Sequence, residues 1–187
     1  DPLNDYAILG EGNTSARIDE KSFWVKASGA ELATAGSQDF VQVYFEPVLA
    51  LLETNHLSDS EIKQGLLAAR VDGRTSSIPS IETVLHALCL KQQDIHYVGH
   101  THPTCINMLT CCEEYERMLS GRLFPDEVVV CGRAPLLIAY ADPGLPLARA
   151  VQFGLQAHLE RHGEAPPTIY MQNHGFIALG KNPRQVL

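Results

Sequence analysis

The sequence predicts an α/β fold in which helices flank a largely antiparallel or mixed sheet. Two observations carry that reading. Short apolar runs alternate with amphipathic stretches along the whole chain, without a repeat, low-complexity tract or linker. The strand-like runs also outnumber those a simple βαβ series would supply. A chain of 187 residues suits one domain, and at that length roughly 70% of the unfolded surface is buried.

Residues 23–25 and 40–45 read as strands, with Ser28-Gly29 as a turn after the first. Ser58-x-x-Glu61 is a capping box that opens a helix to about Arg70. Ser80 caps the next helix, whose Ile81, Val84, Leu85 and Leu88 recur on one face and leave Glu82 in the first turn, off the apolar stripe. A strand over 95–101 follows, then a helix after Pro103 that carries Ile106, Met108 and Leu109 inward. Residues 128–130 and 136–140 are predicted strands, and Asp142-Pro143-Gly144 a turn. Residues 147–162 form a helix ended by Gly163. Residues 169–172 and 176–179 are strands around Asn173-His174-Gly175. Near the end, Asn182 is a good N-cap and Pro183 suits a first helical position. The single domain over 1–187 is therefore expected to be truncated or disordered at both ends.

The formal net charge is -8, which argues against a general affinity for nucleic acid or anionic membrane. No apolar run approaches the ~18 residues a membrane span needs. The five cysteines are odd in number and contain no C-x-x-C pair. Buried or semi-buried free thiols in a reducing, cytoplasmic setting are the expectation.

The sharpest local signal is Gly99-His100-Thr101-His102-Pro103. Side chains at i and i+2 of a strand share a side, with Cα atoms ~6.6 Å apart. Two imidazoles so placed can converge on one metal, and Pro103 puts them at the strand tip. A lone H-x-H is weak evidence, because ordinary histidines also end strands. His96 shares that face but lies too far back to share the metal. His174 is the third candidate ligand: its polar Asn-His pair interrupts apolar strands, and Gly175 permits a tight turn. Glu82 is either a first-turn carboxylate facing the helix dipole or a group near the metal, able to ligate it or act as a base. His86, one turn on, reads as a packed or capping histidine. Gly10-Glu11-Gly12-Asn13-Thr14-Ser15 lacks the third glycine of a dinucleotide fingerprint and the lysine of a P-loop. It reads as a plain turn or as an anion-binding nest, to which Ser28-Gly29 adds a hydroxyl and an N–H.

In this order G-x-G-N-T-S, K-A-S-G, P-S-I-E, V-G-H-T-H-P and Q-N-H-G resemble the class II aldolase/adducin family, whose best-known enzyme type is fuculose-1-phosphate aldolase. The resemblance implies a three-layer α/β/α domain with a central, mainly antiparallel sheet, and a homotetramer with sites at subunit interfaces. By position it makes His100, His102 and His174 the ligands of a divalent metal, most readily Zn2+, and Glu82 the catalytic carboxylate. Gly12, Asn13, Ser28, Gly29 and Ser80 match positions that hold a substrate phosphate. Where the aldolases commonly have P-S-S-E, this chain has Ile81 and one hydroxyl fewer. Tyr115 matches loosely a tyrosine that the aldolases supply from a neighbouring subunit. The reaction so implied is cleavage of a ketose phosphate to dihydroxyacetone phosphate and an aldehyde. Sugar-phosphate 4-epimerases, decarboxylases and a dehydratase share the scaffold, though Glu82 favours the aldolase over the epimerases, where Asp is usual. Adducin-like binding modules lack the metal histidines.

Overall fold

Seven strands make one sheet in the order β3-β2-β1-β4-β7-β6-β5: β1 (Asn13–Arg17), β2 (Ser22–Lys26), β3 (Phe40–Tyr44), β4 (Tyr97–Thr101), β5 (Leu136–Ile138), β6 (Thr168–Met171) and β7 (Gly175–Gly180). The computed structural model describes residues 5–7, 11–54 and 56–187. Among the described residues only the β5–β6 pair is parallel. The sheet is therefore mainly antiparallel, as expected.

Strand alternation sorts the side chains onto two faces. Val25, Val43, Val98, Ile169 and Ile177 join the main core beneath α1 (Phe45–Ala50), α2 (Asp59–Ala68), α3 (Thr83–Leu90) and α7 (Leu145–His162). The opposite face carries Tyr170 and Phe176, which pack with α4 (Thr104–Thr110) and α5 (Tyr115–Leu119) through Ile106, Leu109, Tyr115 and Leu119. The result is an α/β/α layering. Every residue of α3 is buried, the polar Thr83 and His86 included, as befits a central element.

The local start and stop signals hold where they are chemically complete. Ser58 Oγ accepts from the Glu61 N–H and the Glu61 carboxylate accepts from the Ser58 N–H, closing the capping box. Gly163 takes the left-handed conformation after α7. Asn182 accepts from the Arg184 N–H over a short 3-10 turn, Pro183–Gln185.

Five expectations are corrected. Residues 128–130 lie in α6 (Pro125–Cys131), not in a strand. Pro125 at the first helical turn, with Asp126 and Glu127 beside it, outweighs the β preference of three valines; none is buried, and Val129 is 83% exposed. Helix α3 starts at Thr83, so Glu82 precedes it and Ile81 is exposed. Met108 is 64% exposed, because α4 turns Ile106 and Leu109 inward instead. Cys105 and Cys111 are exposed thiols, whereas Cys89 is buried and burial pushes it up to about 12. Strand β1 reads in the sequence only as a turn or nest, because its buried positions Asn13 and Ser15 are polar.

Candidate metal centre

The sheet register brings the histidines together. His100 lies opposite Asn13 of β1 and Ile177 of β7, on the core face shared with Val98. His102 follows at the strand end, where its N–H donates to the Tyr6 carbonyl at 2.9 Å. Because Thr101 pairs with Phe176, the turn before β7 arrives beside His102. That turn is shaped by Asn173 at φ +55 and by the His174 N–H donating to Met171 O at 3.2 Å. Gly175 permits the approach: a Cβ there would lie 2.8 Å from Thr101 O and 2.9 Å from His102 Cδ2. Its role is close contact with the H-x-H strand, and the positive φ falls on Asn173.

Each of the three rings offers a ligand atom, and these atoms all lie within 4.8 Å of one another. The Nε2 atoms of His100 and His102 are 3.1 Å apart. Two nitrogens bound at ~2.0–2.1 Å to one tetrahedral ion stand about 3.3 Å apart. The Glu82 carboxylate completes the group, with Oε2 3.1 Å from His100 Nδ1 and Oε1 3.0 Å from His174 Nε2. Three imidazoles and one carboxylate converging this tightly fit a divalent transition metal of the zinc type. His100 Nδ1 is occupied by Glu82, which leaves its Nε2 for an ion.

Glu82 is nearly buried, with 12% of its side chain exposed. Burial pushes its carboxyl up, but hydrogen bonds and charge from His100 and His174 outweigh that and hold it below the usual carboxylate range. Burial also lowers His102, as do the charges of its two neighbouring rings, against the pull of Glu11 and Glu82.

Asn13 bridges this group to the neighbouring loop. Its Nδ2 donates to Glu82 Oε2 at 2.7 Å and to Ser80 Oγ at 2.9 Å. An isolated bridge between Ala27 and Pro79 places the Ser28-Gly29 turn next to Ser80. The Ser28 N–H is already donated to Ile78 O at 2.8 Å, so this turn offers a hydroxyl but not that N–H. Gly29, at φ +81, faces open space. Gly12, at φ +88, packs so closely that a Cβ would lie 2.7 Å from His100 O. Gly10, the first residue of the expected nest, lies outside the described residues.

Tyr115 does not join the histidines of its own chain. Its ring is 3% exposed in the small cluster with Leu119 and Tyr170, and its hydroxyl donates to Glu116 at 3.3 Å. Burial, then the Glu116 charge, pushes it up to about 12. Two groups escape sequence reading. Lys26 is a buried cation on β2 whose Nζ donates to the Ala30 carbonyl. Burial lowers it against the opposing charges of Glu82 and Asp39. Glu11 Oε2 lies 3.0 Å from His102 Nδ1.

His86 is packed, as expected: it is fully buried on α3, with Nδ1 2.7 Å from Ser15 Oγ. Burial, then the His100 charge, lowers it from 6.5 to about 3. Its folded value lies below its unfolded one, so the stability it contributes is complete above pH 6.5. That stability is lost as pH falls from 6.5 towards 3. Metal-free protein is expected to lose about 2 kcal/mol to this group between pH 7 and pH 5. Urea unfolding of His86→Gln should lack that increment. An identical pH loss in the variant would assign the acid sensitivity elsewhere.

A family model described as Class II Aldolase and Adducin N-terminal domain matches residues 3–187. Among curated proteins, the chain is 28% identical over 180 residues to Uncharacterized oxidoreductase YuxG of Bacillus subtilis (strain 168). That match takes in 92% of this chain and 24% of YuxG, so the chain spans about a quarter of that relative's length. Among solved structures, the N-terminal class II aldolase domain of a conserved protein from Thermoplasma acidophilum has a TM-score of 0.73 at 24% identity, covering 100% of this chain and 80% of that one. The l-fuculose-1-phosphate aldolase from Thermus thermophilus has a TM-score of 0.61 at 18% identity, covering 95% and 72%. At these identities the structural likeness is one of fold.

Proposed function

The chain belongs to the class II aldolase and adducin N-terminal domain family, and from that membership we propose that it is a metal-dependent aldehyde-lyase acting on a ketose phosphate. The products are dihydroxyacetone phosphate and an aldehyde. The observation that carries this reading is the convergence of His100, His102 and His174 on one point, with Glu82 touching two of the three rings. A binding module has no need of that donor set.

His100, His102 and His174 would hold the ion, zinc being the best match to their chemistry. When bound, a divalent ion supplies Lewis-acid stabilisation for the negative charge that develops on a ketose's oxygens. Glu82 is placed to remove or return the proton at the reacting carbon, since it alone among the described carboxylates contacts both His100 and His174. Asn13 holds Glu82 in place and links it to Ser80. Gly12, Asn13, Ser28, Gly29 and Ser80 would hold the phosphate end. Fixing that end selects which proton faces Glu82. A homotetramer, as the resemblance implies, belongs to the same proposal.

The reaction is tested by offering ketose 1-phosphates to metal-loaded protein and assaying for dihydroxyacetone phosphate. Its appearance, and its loss on chelation, is expected. Recovery of the intact sugar phosphate inverted at one carbon would assign the chain to the epimerases instead.

A further inference from the structure

Both rings of the H-x-H strand end are held by a carboxylate on Nδ1. His100 Nδ1 meets Glu82 at 3.1 Å, and His102 Nδ1 meets Glu11 at 3.0 Å. An ionised carboxylate only accepts hydrogen bonds, so each Nδ1 carries the proton and each neutral ring presents a lone pair at Nε2. Those two Nε2 atoms face one another at 3.1 Å. Two lone pairs at that separation repel, unless a cation takes both.

The backbone explains how Glu11 reaches this position. Tyr6 is tied to the strand end, its carbonyl accepting from the His102 N–H at 2.9 Å. At Gly12 the backbone presses against the His100 carbonyl with φ at +88, a conformation and a separation that a side chain would not tolerate. The residue before Gly12 is thereby set beside the His102 ring. We infer that Glu11 is a positioning residue of the metal centre: it holds His102 in the Nδ1–H tautomer and aims Nε2 at the ion. The inference rests on the metal reading above and deepens it. A rival account makes the contact an ordinary surface ion pair, since Glu11 is 53% exposed and such pairs contribute little. The two accounts differ in what they do to metal affinity and to the ring's proton.

The test uses metal-free wild type, Glu11→Ala and Glu11→Gln, with zinc titrated against a chromophoric chelator and histidine tautomers read by long-range proton–nitrogen NMR. Glu11→Ala is expected to weaken zinc binding by about 10–100-fold. Glu11→Gln, whose amide oxygen still accepts from Nδ1–H, should recover most of that loss. In wild type His102 should carry its proton on Nδ1, and in Glu11→Ala it should lose that preference. Unchanged thermal unfolding of the metal-free variants would separate this effect from a folding defect. Equal zinc affinity in Glu11→Ala, or a wild-type His102 protonated on Nε2, would overturn the inference. Failure of wild type to bind zinc would overturn the metal reading instead, and the tautomer spectrum would still decide the role of Glu11.

Discussion

His102→Ala is expected to leave the chain without metal. The imidazole it removes stands 3.1 Å from that of His100 and offers one of the three donor atoms gathered within 4.8 Å. Removing the outer partner of a ligating histidine already costs about 10–100-fold in affinity, so deleting the ligand itself should cost about 10³-fold or more. The fold should survive, because His102 sits at a strand tip and its backbone N–H bond to Tyr6 does not involve the side chain. The measurement is metal content after dialysis against a weak chelator, alongside circular dichroism. A folded variant that keeps one ion per chain would remove His102 from the ligand set.

Glu82→Gln should separate binding from chemistry. The three imidazoles remain, and the glutamine oxygen can still accept from His100 Nδ1 or from the Asn13 amide, so metal content should stay near one per chain. What disappears is a group able to take and return a proton. Positioned acid–base groups contribute about 10²–10⁴-fold, and turnover should fall by that much. Parallel metal analysis and rate measurement on one preparation check both halves. Full turnover would take Glu82 out of the mechanism, and loss of metal would recast it as an indispensable ligand.

The parts of this site that local periodicity controls are legible in the sequence. His100 and His102 share a face because strand side chains alternate, and that follows from spacing alone. His174 can be nominated from a polar interruption between apolar strands, but its meeting with His102 depends on the β4–β7 register, which no local pattern specifies. The sequence misplaces the start of α3 because Ser80 is a good capping residue. Its hydroxyl does accept the Glu82 N–H at 3.3 Å, yet regular helix begins at Thr83. That offset is what frees Glu82 to turn towards the histidines. Residues 128–130 mislead because three successive valines suggest a strand, whereas Pro125 and the acids after it commit the segment to a helix turn. Glu11 carries no signal of its own, since the segment holding it reads as a plain turn or an anion-binding nest, and only the fold sets its carboxylate beside His102. The mainly antiparallel sheet is legible from the count of strands, and its order is not.

The most direct test of the proposed chemistry is hydrogen exchange at C3 of dihydroxyacetone phosphate in heavy water, followed by NMR on metal-loaded protein with and without chelator. Exchange that the chelator abolishes is the expected result, because forming an enediolate needs only this half of the substrate, the metal centre and Glu82. A folded chain carrying one metal ion that exchanges no proton at C3 would contradict the aldolase reading.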